Sequence, residues 1–141
     1  LGTGNPTLFA SWVFVGPQHR VFFSGDTGFH PGFATVGEQF GPFDLTVIKI
    51  GAYDQSWPDI HLNPEQAVQA HTMLRGRTML PIHWMTFNLA IHEWDEPAER
   101  LVASAGSSGV TFAMPRPGEP VDVTAPLPTA PWWRSVRKAP R

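Results

Sequence analysis

Two short stretches carry side chains whose type and setting could do chemistry. Val21-Phe22-Phe23-Ser24-Gly25-Asp26-Thr27-Gly28-Phe29 reads as a buried strand running into a tight turn with one carboxylate. Gly25 and Gly28 flank Asp26, and glycine lets a backbone turn sharply or be approached closely. Pro81-Ile82-His83-Trp84 is a second apolar strand, ending in a histidine. A carboxylate and an imidazole held at strand ends are both suited to a divalent cation. Each also has an ordinary reading: Asp26 as the cap of its own turn, His83 as a satisfied structural histidine. His61, in Pro58-Asp59-Ile60-His61, could be a ligand, a proton donor or a loop residue. His92 could face the same pocket as His83. His71 sits on a helix face beside Ala67 and Leu74 and reads as structural or as support for a site. His19 and His30 sit in turns and read as solvated.

The surrounding pattern places these residues on loops after strands. Ser11 to Val15 alternates loosely, stops at Gly16-Pro17, and returns through Arg20 to Ser24 as a hairpin. Pro31 to Phe40 has Phe33, Val36, Gly37 and Phe40 at helical spacing, with Pro31 at the start. Asp44 to Ile50 is an apolar strand, ending at Gly51, whose composition suits cover on both faces. Asn63-Pro64-Glu65-Gln66 is a helix start with a capping box. Ala67, Ala70, His71 and Leu74 share the inward face, and Gly76 is expected to stop the helix. A strand from Arg77 to Ile82 follows. Asp95 is expected to cap a helix to about Ala105, with Ala98, Leu101, Val102 and Ala105 inward. Gly109 to Phe112 reads as a last short strand. The order β-β-α-β-α-β-α-β predicts an α/β layered fold. Loops at one edge of such a sheet converge in space, so Asp26, Gly51-Ala52-Tyr53 and His83 can meet. Residues 1–114 form the domain; residues 115–141, dense in proline and ending near Trp132-Trp133-Arg134, read as an extended wrap with tryptophan anchors.

Composition narrows the function. The 141 residues fit one domain, carry a net charge of −2, and show no basic run interleaved with aromatics, which argues against nucleic acid. There is no cysteine, so disulfides and thiolate metal sites are excluded and His, Asp and Glu are the available ligands. No apolar run reaches the length of a membrane span and no signal peptide is visible. That reading puts the chain in the cytoplasm, with a membrane surface as an allowed contact. Six Trp and ten Phe call for a large aromatic core, or an apolar surface for a lipid or another subunit. Leu1-Gly2-Thr3-Gly4-Asn5-Pro6 resembles the middle of a loop, as in a piece of a longer protein.

Taken together, the motifs form a series: strand–Gly25-Asp26-Thr27-Gly28, strand–Ile50-Gly51-Ala52-Tyr53, His61-Leu62-Asn63-Pro64-Glu65-Gln66-Ala67, and strand–Ile82-His83-Trp84-Met85-Thr86-Phe87. Over roughly residues 8 to 115 this series resembles the C-terminal half of metallo-β-lactamase-fold hydrolases. The branch containing N-acylphosphatidylethanolamine-hydrolysing phospholipase D, the RomA-like bacterial proteins and the ascorbate-6-phosphate lactonases is most similar. The resemblance implies a four-layer αββα fold of which this chain is the C-terminal βα half. It implies that Asp26 bridges two metal ions, usually zinc (Zn2+), that His83 ligates the second, and that His61 lies close to them with a catalytic role. Two cations flanking an aspartate can hold a water, lower its pKa and present hydroxide to a phosphodiester, lactone or related ester. The family's His-x-His-x-Asp-His motif, and one histidine upstream of the hairpin, have no counterpart here. The chain alone is therefore expected to be inactive, and to need either the missing N-terminal half or a second copy of itself to cover its sheet. Two other readings compete. Asp26-Thr27-Gly28 is also an aspartic-protease signature, opposed by bulky Phe29 and by the marked helix after Asn63. A non-catalytic, self-associating remnant or interaction module on the same scaffold is the other.

Overall fold

The computed structural model describes residues 9–137. The loop-like opening Leu1–Pro6 and the last four residues of the expected wrap lie outside them. Four strands form one sheet in the spatial order β1-β2-β3-β4. β1 (Trp12–Val15) and β2 (Arg20–Phe23) make the expected antiparallel hairpin, with Trp12 opposite Phe23. β3 (Phe43–Lys49) and β4 (Gly76–Ile82) each run parallel to the strand before them. Helix α1 (Gly32–Phe40) connects β2 to β3, and α2 (Pro64–Met73) connects β3 to β4. α3 (Glu96–Ser108) packs beside α2, and a short α4 (Trp133–Arg137) ends the described chain. The mixed architecture leaves no room for an all-β aspartic protease.

The helices cover one sheet face. Phe22, Ile48 and Met79 from the strands share a core with Phe33 and Leu101 from the helices and Leu74 at the end of α2. Phe22 meets Phe33 edge-on, with ring centres 6.1 Å apart. The opposite face follows from the register. Trp12, Phe23, Val47 and Leu80 form one row across the sheet; Phe14, Val21, Leu45 and Thr78 form the next. In these two rows Thr78 is buried and the rest is wet: Trp12 is 58% and Phe14 56% exposed, and Val21, Phe23, Leu45, Val47 and Leu80 are half-buried. No helix among the described residues is long and apolar enough to cross a membrane.

Helix α2 starts as its sequence dictates. The Asn63 side chain accepts from the Gln66 amide at 2.8 Å, and the Gln66 side chain accepts from the Asn63 amide at 3.1 Å. Ala67, Ala70, His71 and Leu74 are all buried. Three local expectations need correction. Gly76 does not stop α2: the helix ends at Met73, Arg75 takes a left-handed φ of 59°, and Gly76 opens β4. A glycine is required at 76 because a Cβ would lie 2.5 Å from the His71 ring. Asp95 stands at the N-cap of α3 as expected, but its side chain makes no cap bond; its buried carboxylate pairs with Arg137 of α4 at 2.8 Å. The expected last strand contributes a single bridge, Phe112 to Met79. In the C-terminal segment Trp133 is fully buried, its indole donates to Glu99 at 2.8 Å, and the described chain ends helical rather than extended.

His71 is a core residue. Its Nδ1 lies 2.7 Å from Thr46 Oγ1, and burial depresses its pKa to about 4. The folded state thus refuses a proton that the unfolded chain accepts at about 6.5. Stability should be constant above pH 6.5 and fall as pH drops from 6.5 toward 4. Urea unfolding across that range should show this slope, and His71→Gln should lessen it, the remainder coming from His61, whose pKa burial also depresses. An unchanged slope in the variant would remove His71 as its source.

Candidate functional site

Because β2, β3 and β4 are parallel, their C-terminal ends share one edge, and each is followed by one of the predicted loops. The loops are held together by backbone contacts. The Leu62 amide donates to the Thr27 carbonyl at 3.0 Å, tying the His61 segment to the Asp26 turn. A Cβ on Gly28 would lie 1.9 Å from the Asp59 carbonyl oxygen, so only glycine permits that approach. The Ile50 amide donates to the Ile82 carbonyl at 3.0 Å, and a Cβ on Gly51 would lie 2.4 Å from the His83 carbonyl oxygen.

The result is a cluster. His83 Nε2 stands 3.2 Å from Asp26 Oδ1, and the His61 and His83 rings are 5.3 Å apart between centres. The three predicted residues are thus brought to one place from three loops. Both members of the first pair are partly open to solvent. His83 has a left-handed φ of 61°, as does Ala52, and Met85 has 62°. A residue with a side chain costs about 1–2 kcal/mol in that conformation, so the packing around the site holds these loops against local preference. His61 is forced toward the neutral form: burial first, then the charge of Lys49, depress its pKa to about 4. Its Nδ1 is buried and has no hydrogen-bond partner.

His92 faces the same hollow as His83, as expected, but makes none of the Asp26, His61 and His83 contacts. Its Nε2 accepts from the Ala52 amide at 3.0 Å, its Nδ1 is 2.9 Å from the Glu93 carbonyl, and its ring stacks on Tyr53 at 4.4 Å. Trp57 donates its indole N–H to the Ala52 carbonyl at 2.9 Å. The strained Ala52 peptide is therefore pinned on both sides. Tyr53 donates to Glu96 at 2.8 Å, and burial raises its pKa. Two hollows flank the Ala52–Tyr53 loop. One, of about 670 Å³, is polar and reached past His61, Asp54, Gln66 and Arg100. The other, of about 260 Å³, is lined by His83, Trp84, Met85, Phe87, Leu89 and Trp94. His19 and His30 are away from the site: His19 is 3.7 Å from Asp44, and His30 stacks on Phe33.

Sequence reasoning missed Lys49. It is fully buried at the end of β3, and its Nζ donates to the Gly51 carbonyl at 3.1 Å. Its amide donates to Ser24 Oγ at 3.0 Å. The available signal was one cation set between Ile48 and Ile50 in a strand read as covered on both faces.

The donors suit a divalent ion in kind. Asp26 and His83 touch, and the orphaned His61 nitrogen lies close by. They do not suffice in number: among the described residues no group of three or more His, Cys, Asp or Glu side chains is placed to hold a metal.

The model of the beta-lactamase superfamily domain matches residues 2–84, and this chain belongs to that superfamily. An uncharacterised protein of Mycobacterium tuberculosis is 54% identical over 133 residues, which are 92% of this chain and 36% of that protein. The N-acyl-phosphatidylethanolamine-hydrolyzing phospholipase D 1 of Caenorhabditis elegans is 40% identical over 105 residues, 72% of this chain and 30% of that one. The metallo hydrolase Igni18 of Ignicoccus hospitalis superposes with a TM-score of 0.59 at 23% identity, covering 77% of this chain and 43% of that one. The fold is thus the metallo-β-lactamase fold, and this chain spans about a third of the length of these curated relatives.

Gly28→Ala tests the loop packing. The added methyl must push the Asp59 backbone away, which overpacking prices at about 1–3 kcal/mol, and His61 should move with it. Urea unfolding should show the loss, and the ring contact between His61 and His83 should disappear from NMR spectra. An unperturbed variant would mean that the two loops are not clamped at Gly28.

Proposed function

We propose that this chain is the C-terminal part of a metal-dependent hydrolase acting on a phosphodiester, lactone or related ester. The metal is zinc, with two ions in the complete site. The observation that carries the reading is the Asp26–His83 contact at the shared edge of three parallel strands, with His61 packed against it. Asp26 and His83 would hold metal; the remaining donors would come from outside these residues. A divalent ion bound there lowers the pKa of a water toward neutrality and polarises the oxygen of the attacked group. His61 is neutral at physiological pH, so it can hydrogen-bond to water or substrate without adding charge to the site.

The apolar hollow beside His83 supports an acyl chain or other lipid portion in the substrate. Its rim supports contact with a membrane surface, since Phe87 is 78% and Leu89 59% exposed. The relative named as a phospholipase is consistent with both. A partner is part of the reading. The wet sheet face carrying Trp12 and Phe14 would be covered by the N-terminal half of the same fold or by a second copy of this chain. Residues 1–114 form the catalytic scaffold in this view and residues 115–141 its C-terminal wrap.

Activity tests the reading directly. In a chain extended to include the family's upstream histidines, Asp26→Ala should abolish tight zinc binding and lower hydrolysis of phosphodiesters or lactones at least about 100-fold. Residues 1–141 alone should stay near background. Full activity in the extended Asp26→Ala protein would refute the assignment of Asp26.

Association tests the partner. Each large apolar side chain left wet forgoes roughly 1.5–3 kcal/mol, so the isolated chain should sediment as a dimer or larger, or bind a hydrophobic dye. A dye-free monomer with a cooperative melt would show that the open face needs no cover.

A further inference from the structure

The peptide joining Gly51 to Ala52 is gripped at both ends. Its N–H, on Ala52, donates to His92 Nε2 at 3.0 Å, and its C=O, on Gly51, accepts from Lys49 Nζ at 3.1 Å. The lysine bond does not depend on charge: burial lowers the Lys49 pKa to about 7, and the amine donates an N–H in either form. The histidine bond does depend on form. An Nε2 that accepts carries no proton, so Nδ1 carries it and donates to the Glu93 carbonyl at 2.9 Å. The ring itself is braced. It stacks on Tyr53 at 4.4 Å, the Arg100 guanidinium lies 4.7 Å from the centre of that tyrosine ring, and Arg100 is bonded to Glu65 and Glu96.

The grip opposes a local preference. Ala52 has a φ of 61°, and turning the Gly51–Ala52 peptide over would return it to the negative region that a side chain favours. That turn would disturb the surface on which His83 is seated. A Cβ on Gly51 would lie 2.4 Å from the His83 carbonyl oxygen and 3.2 Å from Trp84 Cα, so the two backbones are in contact.

We infer that His92 is a positioning residue: as its Nδ1–H tautomer it holds the Gly51–Ala52 peptide in the left-handed setting, and through Gly51 it sets where His83 stands beside Asp26. The inference rests on the reading of His83 as a site residue. His92 acts through the backbone, and Tyr53 and Arg100 act by holding His92.

Two substitutions separate the hydrogen bond from the stack. His92→Phe keeps a ring for Tyr53 and loses the acceptor; His92→Gln keeps an acceptor and loses the ring. The 141-residue chain is measured by NMR without metal or substrate. In wild type, the ring nitrogen shifts of His92 should show a protonated Nδ1 and a bare Nε2. In His92→Phe the Ala52 amide should exchange with solvent at least about tenfold faster than in wild type. The Met79 amide, bonded to Thr111 in the core, should keep its rate, and the ring contact between His61 and His83 should weaken. His92→Gln should stay nearer wild type on both measures. The double variant His92→Phe/Ala52→Gly should regain the ring contact, because glycine takes a positive φ without penalty. A histidine that only filled space would not be replaced by removing a methyl group. If His92→Phe does not fold, His92→Leu takes its place under the same criteria. The inference is overturned if His92 carries its proton on Nε2, if loss of the acceptor leaves the Ala52 exchange and the ring contact as in wild type, or if Ala52→Gly restores nothing. No outcome involves metal or turnover, so failure here leaves the activity test of Asp26 standing, and failure there leaves this one.

Discussion

The site depends on one close backbone approach. Leu62 donates its amide to the Thr27 carbonyl, and that bond can form only because residue 28 has no Cβ to strike Asp59. Without it, His61 would belong to a loop that merely precedes α2. With it, the His61 segment is anchored to the turn that presents Asp26, and the capping box at Asn63 fixes the direction in which the chain then leaves. Gly51 does the same between β3 and β4, where it lets the His83 backbone come within van der Waals range. Two glycines thus set distances that the side chains inherit.

Parallel pairing explains why the chemistry collects at one edge, and also what it costs. Three strand ends bring three loops together, but the loops must turn immediately, and Ala52, His83 and Met85 are held in left-handed conformations to do so. These are compensated by contacts from outside the loops: His92 and Trp57 on the Ala52 peptide, Asp26 on the His83 ring. A tryptophan cluster, Trp84 against Trp132 and Trp133, braces the residue after His83 from the C-terminal segment. A histidine on an unbraced loop would relax out of such a backbone state and lose its place beside Asp26.

Much of this was legible because it rests on local rules. The hairpin, the four strands and the α2 start follow from apolar runs, β-branched residues and capping chemistry, and that Asp26 and His83 would meet follows from strand ends on one sheet edge. What was not legible depends on contacts between distant residues. Gly76 reads as a helix stop in isolation, yet it is a glycine because the His71 ring fills the space where a Cβ would be. Asp95 reads as a cap, yet its carboxylate is drawn to Arg137, far along the chain. Lys49 reads as one polar residue in a strand, and only the folded arrangement shows that it is buried at the site.

The open sheet face and the incomplete site are two aspects of one arrangement. Side chains alternate along β3, so Leu45, Val47 and Lys49 project to the same side, the side away from the helices. The row Trp12, Phe23, Val47, Leu80 therefore leads directly to the level at which Lys49 and Ile82 sit, one step below the Asp26–His83 loops. A layer packed against the exposed Trp12 and Phe14 side would reach the site edge without leaving that surface. Apolar cover for the sheet and further donors for a metal would then arrive on the same body.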